Sequence, residues 1–348
     1  MTTSYTITVT GASGFIGAHL VKELLAHGYH VRGTVRNLSD PDKYAYLTSL
    51  PGASKRLELV TGQLGIEGSY DEAVAGVDYV MHAASPYMLD VKDPQRDLVA
   101  PAVQGTKNVL RACKKASTIK RVLVTSSMAA ITDEPVPGKI HNEADWNEKS
   151  SLTRNPYYYS KVLAEKAAWA FMEENDTSFD LVVLNPYVVI GPALNPTLNG
   201  SNFNFQALMT GRFPALVDMS YGYVDVRDVA VLHRLAMETP HASGRYLIAH
   251  ETRTIIEVLK LLKANGYTKY RYPKLPLTSK FGTVLAKLFS YTENQGIGSF
   301  LRTHLGKKML FDNSKTKKDF GFEYRDMDQT ILETVADMAE WGHIPAKT

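Results

Sequence analysis

The clearest chemical signal in this 348-residue sequence is a tyrosine and a lysine four residues apart, Tyr157 and Lys161. Apolar residues at helical spacing continue to Phe171, which predicts a helix that presents both side chains on one face. A phenol with an ordinary pKa of about 10 is a weak acid at neutral pH. Because an ammonium one turn away stabilises the phenolate, the pair could donate a proton to a developing alkoxide.

A pair of serines, Ser126 and Ser127, follows the continuous apolar run Arg121–Thr125. Such a run is typical of a parallel strand that is covered on both faces. A hydroxyl at the end of that strand could hold a carbonyl oxygen, and the residues alone leave open which serine does so. Because the chain contains nineteen tyrosines, a tyrosine four residues before a lysine often arises by chance. The elements around the pair therefore decide whether it is functional.

The element that most favours a functional Tyr–Lys pair is the turn Thr10–Gly17, which lies between the alternating run Tyr5–Val9 and an amphipathic helix pattern. Strand, glycine-rich turn and helix together predict a dinucleotide-binding arm. Gly11 permits the tight turn, Gly14 permits close approach of a pyrophosphate, and Gly17 permits packing of the helix on the strand. The helix N-terminus then offers free N–H groups to the phosphates.

The residue after the second predicted strand, His30–Val35, distinguishes between the two nicotinamide cofactors. A carboxylate there would bind the ribose 2′-hydroxyl of NAD, whereas an arginine accommodates a 2′-phosphate. Arg36 occupies this position and Lys43 follows, so we predict NADP(H). The alternative is that Arg36 is only an exposed strand end. We also expect Lys161 to hold the nicotinamide ribose.

Further strand patterns predict an α/β fold with a doubly wound parallel sheet (Rossmann) and a smaller, mostly helical C-terminal substrate lobe. The predicted later elements are strands at 57–60, 77–82, 179–185 and 245–249 and a helix at about 97–115. We assign residues 1–190 to the dinucleotide-binding domain, to which 221–250 returns, and residues 191–220 and 251–348 to the lobe. We expect a loop from Asn195 to Phe205 and a helix cap at Asp228.

The composition is that of an ordinary globular chain, with 44% apolar and 22% charged residues. A net charge of +3 gives no reason to expect a nucleic-acid or membrane partner. The single cysteine, Cys113, excludes an intramolecular disulfide and fits a cytoplasmic protein. We interpret Cys113 and His82 as core residues and expect no metal site. We expect no signal peptide and no membrane span.

Six motifs together resemble the extended short-chain dehydrogenase/reductases. Within them the match is to the dihydroflavonol reductase, cinnamoyl-CoA reductase and fungal methylglyoxal/aldehyde reductase group. The motifs are TGASGFIG (10–17), VRGTVRN (31–37) followed by Lys43, VTSSMAA (124–130), YYYSKVLAEKAAW (157–169), NPYVVIGP (185–192) and YVDVRDVA (223–230). The resemblance weakens after about residue 195.

The resemblance implies that Ser127, Tyr157 and Lys161 form the catalytic triad, and it favours Ser127 over Ser126. The motifs and the resemblance together also predict which residues contact the cofactor. These are Gly11, Gly14, Phe15, Ile16, Gly17, Arg36, Lys43, Gln63, Leu64, Ala83, Ala84, Tyr157, Lys161, Pro186 and Val189. Gln63 departs from the family, which usually has Asp before this leucine. Its carbonyl can still accept a hydrogen bond from the adenine amino group.

We therefore expect an NADPH-dependent reductase of a ketone or aldehyde, working as a monomer or homodimer on a small apolar or aromatic molecule. The enzymatic alternative is an NAD-dependent nucleotide-sugar epimerase/dehydratase or 3β-hydroxysteroid dehydrogenase. A non-catalytic dinucleotide sensor is disfavoured by the Tyr–Lys pair. We expect a set of apolar and aromatic residues to form either a pocket wall or, equally, part of the lobe core. The set is Tyr87, Met88, Tyr187, Phe203, Phe205, Leu208, Met209 and Phe213.

Overall fold

A computed structural model describes residues 5–86 and 91–347 of the chain. The strands in this part are β1 (Thr6–Thr10), β2 (His30–Val35), β3 (Leu57–Thr61), β4 (Tyr79–His82), β5 (Arg121–Thr125), β6 (Ile140–His141), β7 (Asp180–Pro186), β8 (Val188–Ile190), β9 (Ala215–Val217), β10 (Ser220–Asp225), β11 (Gly244–Ile248), β12 (Glu251–Thr254), β13 (Leu275–Leu277) and β14 (Leu310–Phe311).

The α-helices in the same ranges are α1 (Phe15–Ala26), α2 (Ala45–Thr48), α3 (Ala53–Arg56), α4 (Asp71–Val74), α5 (Ala100–Ala116), α6 (Pro156–Glu174), α7 (Gly200–Thr210), α8 (Val226–Glu238), α9 (Ile255–Ala264), α10 (Lys280–Phe289), α11 (Gln295–His304), α12 (Ser314–Phe320) and α13 (Met327–Glu340). Short 3₁₀ segments cover Pro41–Tyr44, Met128–Ala130 and Ser290–Thr292, and a π-helical turn, Gln95–Val99, precedes α5.

The main sheet of the described residues has seven parallel strands in the order β3-β2-β1-β4-β5-β7-β11. After β3 the chain returns past β1 to form β4, so strand order reverses between β1 and β4. Ligands of such sheets bind at the carboxyl ends of the strands beside this reversal. The predicted doubly wound α/β class is confirmed.

Helices cover both faces of this sheet because its strands are apolar on both sides. Alternate residues of β5 show the division: Leu123 packs into the core with α1 and α8. Val122 and Val124 pack into the opposite core with α5 and α6. Burial on both faces fixes the register of the strands, and therefore the height at which Ser126 and Ser127 follow β5.

The segments assigned to the C-terminal lobe pack around a small sheet of the order β12-β10-β8, in which β8 and most of β10 come from segments assigned to the dinucleotide-binding domain. Helices α7, α9 and α13 share an apolar core with this sheet. A second small sheet pairs β13 with β9, and α10 packs on both of its strands. In the part of the chain that the structure describes, no helix is long and apolar enough to cross a bilayer.

Two local predictions for the lobe and its border are wrong. The loop expected from Asn195 to Phe205 ends at Asn199, whose side chain accepts hydrogen bonds from the amides of Ser201 and Asn202 and starts α7. Helix α8 is capped by Asp225, which accepts from the Arg227 amide at 2.7 Å. Asp228 instead lies inside the first turn of α8.

The two residues interpreted as core, His82 and Cys113, are both buried. His82 Nδ1 lies 2.8 Å from the Thr10 hydroxyl. Burial lowers the pKa of His82 to about 3, so the imidazole is neutral at physiological pH. Burial raises the pKa of the Cys113 thiol. Both side chains are thus uncharged parts of the sheet packing.

We predict that Gly17→Ala destabilises the turn before α1. An added Cβ would lie 2.1 Å from the Gly11 carbonyl oxygen, so the turn must shift. The expected loss in the free energy of unfolding is about 1 to 3 kcal/mol by urea denaturation without cofactor. Gly65→Ala is the control, since its Cβ would meet nothing within 4 Å. A Gly17→Ala protein as stable as the control would contradict this account.

Candidate active site

Helix α6, which carries Tyr157 and Lys161, begins at a firmly held residue. Asn155 has a left-handed backbone conformation (φ 48°) and precedes Pro156, the first helical residue. Its side-chain amide donates to Asp133 Oδ1 at 2.9 Å, and its backbone N–H donates to the Ser299 hydroxyl at 3.0 Å. The start of α6 is therefore tied both to the segment after β5 and to α11 of the lobe.

Tyr157 and Lys161 lie on one face of α6, as their spacing predicts. Lys161 Nζ is 5.9 Å from the centre of the Tyr157 ring and donates to the Ser85 hydroxyl at 3.0 Å. Lys161 is only 7% exposed, and burial lowers its pKa to about 8. The nearby Glu165 carboxylate opposes this shift. Lys161 is thus mostly an ammonium at neutral pH.

The two serines after β5 have different surroundings. Ser126 is buried and its hydroxyl donates to Glu165 Oε2 at 2.5 Å. Ser127 is partly exposed, and its hydroxyl oxygen accepts from the Ala129 amide at 3.1 Å. That bond leaves the Ser127 hydroxyl hydrogen for another acceptor. The short helix Met128–Ala130 after Ser127 packs on α6.

Glu165, one turn beyond Lys161, is the centre of a buried polar network. Its carboxylate accepts from Arg245 Nε at 2.6 Å and from Asn185 Nδ2 at 2.7 Å. Asn185 Nδ2 also lies 3.1 Å from the Ser127 carbonyl oxygen, to which it donates. The network therefore joins α6 to β7, β11 and the serine-containing segment after β5.

The glycine-rich turn forms a close cradle at the carboxyl end of β1. Gly11 has φ +67°, and an added Cβ would lie 3.0 Å from the Ala84 backbone. Ala84 N–H donates to the Thr10 hydroxyl at 3.1 Å, which holds the segment after β4 against this turn. No side chain caps α1, which leaves the N–H groups of its first turn for a dinucleotide pyrophosphate.

The predicted 2′-phosphate residues lie close to this edge. Arg36 directly follows β2 and is exposed. Lys43 is also exposed, in the 3₁₀ segment Pro41–Tyr44. Phe15 and Ile16 begin α1 and pack partly against the core, as does Ala83 after β4. These positions fit NADP(H), for which two exposed cations beside the turn would hold the extra phosphate.

The other predicted cofactor residues lie around the same sheet edge. Leu64 packs on Gly105 of α5, and its carbonyl accepts from Asn108 at 2.8 Å. Gln63 is exposed, and its backbone groups both bond the Ser69 hydroxyl. Pro186 is the last residue of β7, and Val189 is buried in β8.

Aromatic rings form a continuous series from the candidate catalytic tyrosine into the lobe. Successive ring centres are 6.0 to 6.2 Å apart in the order Tyr157, Tyr158, Phe300, Tyr221, Tyr223, Phe205. The last three rings line a narrow cavity with Leu208, Phe213, Ile255 and Val258. Packed aromatic rings therefore connect Tyr157 with a small cavity whose lining is apolar and aromatic except for Asn204.

The residues expected to form a pocket wall divide into several groups. Phe205, Leu208 and Phe213 line the cavity, whereas Met209 is buried in the lobe core. Phe203 is 40% exposed, and Arg212 lies over its ring. Tyr187 is close to Gly222, whose added Cβ would lie 2.2 Å from the Tyr187 ring. Tyr87 and Met88 lie outside the described residues.

Sequence reasoning missed several residues that complete the site. Glu165 continues the four-residue spacing of Tyr157 and Lys161, a signal that could have been used. Ser85 stands in the run of small residues that follows β4, but nothing local links it to Lys161. Phe300 comes from a helix more than a hundred residues away, so its place beside Tyr158 has no sequence signal.

Comparisons with known proteins agree with this geometry. A family model described as the NAD dependent epimerase/dehydratase family matches residues 7–249. A cinnamoyl-CoA reductase (CAD2) of Medicago truncatula is 39% identical over 345 residues, which cover 96% of this chain and 95% of the relative. A bifunctional dihydroflavonol 4-reductase/flavanone 4-reductase of Malus domestica is 37% identical and covers 98% and 92%.

Solved structures give the same result. Gre2 of Candida albicans in complex with NADPH has a TM-score of 0.79 and 30% identity, covering 97% of this chain and 99% of that one. Yeast methylglyoxal/isovaleraldehyde reductase Gre2, complexed with NADPH, has a TM-score of 0.80 and 29% identity, covering 97% and 100%. These matches confirm the resemblance predicted from the motifs. The chain belongs to the NAD dependent epimerase/dehydratase family.

Proposed function

We propose that this protein is an NADP(H)-dependent reductase that transfers a hydride to a ketone or aldehyde carbonyl. The observation that carries the proposal is the Tyr157–Lys161 pair beside a dinucleotide arm, with Ser127 after the neighbouring strand. The reductase class and the NADP(H) cofactor predicted from the sequence agree with relatives that are reductases by name and with two neighbours that contain NADPH.

The chain's own residues supply the proton and hold the reacting oxygen. NADPH, when bound, supplies the hydride. Tyr157 donates its hydroxyl proton to the developing alkoxide, and the Lys161 ammonium stabilises the phenolate that remains. The Ser127 hydroxyl donates a hydrogen bond to the same substrate oxygen. Because α6 and the segment after β5 share the Glu165 network, these groups are pre-positioned.

The residues that would hold NADP(H) are those of the sheet edge. Gly11, Gly14 and Gly17 would let the pyrophosphate approach the first turn of α1. Arg36 and Lys43 would bind the 2′-phosphate, and Lys161 the nicotinamide ribose. An arginine where a carboxylate would select NAD argues against an NAD-dependent epimerase, dehydratase or hydroxysteroid dehydrogenase.

An apolar or aromatic carbonyl compound is the substrate class that we propose. Support comes from the ring series between Tyr157 and Phe205 and from the apolar lining of the adjoining cavity. As part of the proposal, the protein acts in the cytoplasm as a monomer or homodimer. The single cysteine, which is buried and cannot form an intramolecular disulfide, is in keeping with a reducing compartment.

The first test is NADPH oxidation with a panel of aromatic aldehydes, diketones and aliphatic ketones, with NADH in parallel. Tyr157→Phe should lower kcat by roughly a hundred-fold or more, because the variant lacks the hydroxyl that donates the proton. Its affinity for NADPH, measured by fluorescence titration, should change little. Tyr159→Phe, a neighbouring half-buried tyrosine, is the control and should keep its activity. Turnover by Tyr157→Phe at the parent rate would refute the mechanism.

A second test separates the two serines. Ser127→Ala should lower kcat on the order of a hundred-fold, because the substrate oxygen loses a donor, with little change in stability. Ser126→Ala should instead lower the free energy of unfolding by about 1 to 3 kcal/mol, since the buried Glu165 loses a partner. Steady-state kinetics and urea denaturation of both variants give the answer. Loss of catalysis without loss of stability in Ser126→Ala would reverse the assignment.

The third test concerns the burial of Lys161, which lowers its pKa from 10.5 to about 8 in the folded protein. Between these pH values the unfolded chain binds the proton that the folded protein has lost, so folding becomes more favourable as pH rises. Without cofactor, the stability of the parent relative to Lys161→Met should increase by about 1.4 kcal/mol per pH unit above pH 8.

Urea denaturation at several pH values between 7 and 10 measures this difference. Lys166→Met, which removes an exposed lysine from the same helix, is the control and should follow the parent profile. A parallel course of the Lys161→Met and parent curves would mean that the folded protein keeps the lysine charged throughout this range.

A further inference from the structure

Helix α10 of the lobe buries its small residues and exposes most of its large apolar residues. Its small residues Gly282, Thr283 and Ala286 face inward, and a Cβ added at Gly282 would lie 2.7 Å from the Leu277 backbone. Most of the large apolar side chains on and beside the helix are exposed, whereas Leu285 packs against the cluster that contains Leu277 and Leu305. The exposed ones are Leu275 (54% exposed), Phe281 (79%), Val284 (56%), Leu288 (61%), Phe289 (60%) and Tyr291 (71%). We call these six residues the outer apolar face.

In this respect α10 differs from an ordinary surface helix. In a helix that packs on its own domain the large apolar residues turn inward and polar residues turn outward. Phe281, Val284 and Leu288 recur at intervals of three and four and therefore form one outward stripe. Single exposed apolar residues need no explanation, but a contiguous group of this kind marks a surface that meets another apolar phase.

The chain segment that carries the outer apolar face has charges of one sign as far as Glu293. Residues 258–292 contain no aspartate or glutamate, although the whole chain has 36 acidic and 39 basic residues. Seven cations lie in this stretch: Lys260, Lys263, Lys269, Arg271, Lys274, Lys280 and Lys287. Lys274 and Lys280 adjoin Leu275 and Phe281 in the chain, and Lys287 precedes Leu288. The overall charge of +3 conceals this local excess.

We propose that the outer apolar face docks the protein on an anionic lipid surface. Exposed Phe and Leu side chains would enter the boundary between headgroups and acyl chains, as those of interfacial helices do. The lysines would reach the anionic headgroups while their stems lie along the apolar surface. Tyr291 has the ring and hydroxyl that suit the interface. The expectation of no membrane partner, drawn from net charge, does not extend to this face.

A second copy of the chain is a less compatible occupant of this face. In a symmetric dimer through this face, the same cations of both copies would meet with no acidic residue between 258 and 292 to pair with them. A ten-residue helix is also only about 15 Å long, so it lies on a bilayer and does not cross it. The proposal is independent of the reductase function and concerns only where the enzyme resides.

The test is sedimentation of the full-length protein with lipid vesicles. We expect at least about ten-fold more binding to vesicles of equimolar phosphatidylcholine and phosphatidylserine than to phosphatidylcholine alone. Binding should fall when the salt concentration is raised, because salt screens the lysine–headgroup attraction. Equal binding to the two vesicle types, or no binding to either, would overturn the proposal.

One pair of variants tests the apolar part of the surface. Phe281→Ser/Leu288→Ser should weaken binding to anionic vesicles by about ten-fold or more, because two inserted side chains are lost. Ile66→Ser/Ile140→Ser removes two apolar residues of similar exposure elsewhere (52% and 60%) and should bind like the parent. Thermal melting checks that each variant is folded. Equal loss in both variants would overturn the proposal.

A second pair tests the charge. Lys280→Glu/Lys287→Glu should weaken binding to anionic vesicles by at least about ten-fold, whereas Lys55→Glu/Lys318→Glu, with the same net charge, should not.

Gel filtration of the parent and of Phe281→Ser/Leu288→Ser tests whether a second copy of the chain occupies the face instead. A parent dimer that the apolar variant breaks, together with no vesicle binding, would assign the face to a second copy of the chain and overturn the proposal.

Discussion

The candidate site depends on one buried carboxylate, that of Glu165. A charge in the protein interior is costly unless it is paired and hydrogen-bonded. Arg245, Asn185 and Ser126 supply these partners at 2.5 to 2.7 Å, each from a different strand or its end. The cost of an unpaired Glu165 therefore holds α6 and the ends of β5, β7 and β11 in one arrangement. Tyr157, Lys161 and Ser127 take their places from it.

The same carboxylate affects the charge on which the proposed chemistry rests. The proposed proton transfer requires Lys161 to be an ammonium that stabilises the Tyr157 phenolate. Burial acts against this by lowering the pKa of Lys161 to about 8, and Glu165, one turn away, acts in the other direction. Lys161 is therefore mostly charged at neutral pH. Because it is buried, water screens its attraction to the Tyr157 phenolate only weakly.

Local patterns were enough to predict most of the sheet and the position of the glycine-rich turn. Strands such as β5 and turns such as Gly11–Gly17 are determined by residues near in sequence. The predicted cap at Asp228 is wrong because an acidic residue three positions earlier, Asp225, caps α8 instead. The contact of Lys161 with Ser85 and the place of Phe300 beside Tyr158 join distant segments, so periodicity could not reveal them.

The lobe shows why averages over a whole chain are poor guides to partners. Consecutive helices α10 and α11 carry two different surfaces: the outer apolar face with its lysines, and Phe300 in the ring series that begins at Tyr157. Serine and threonine of α11, Ser299 and Thr303, also hold Asn155 at the start of α6. A lipid surface at α10 would thus lie one helix away from the packed rings that reach the proposed proton donor.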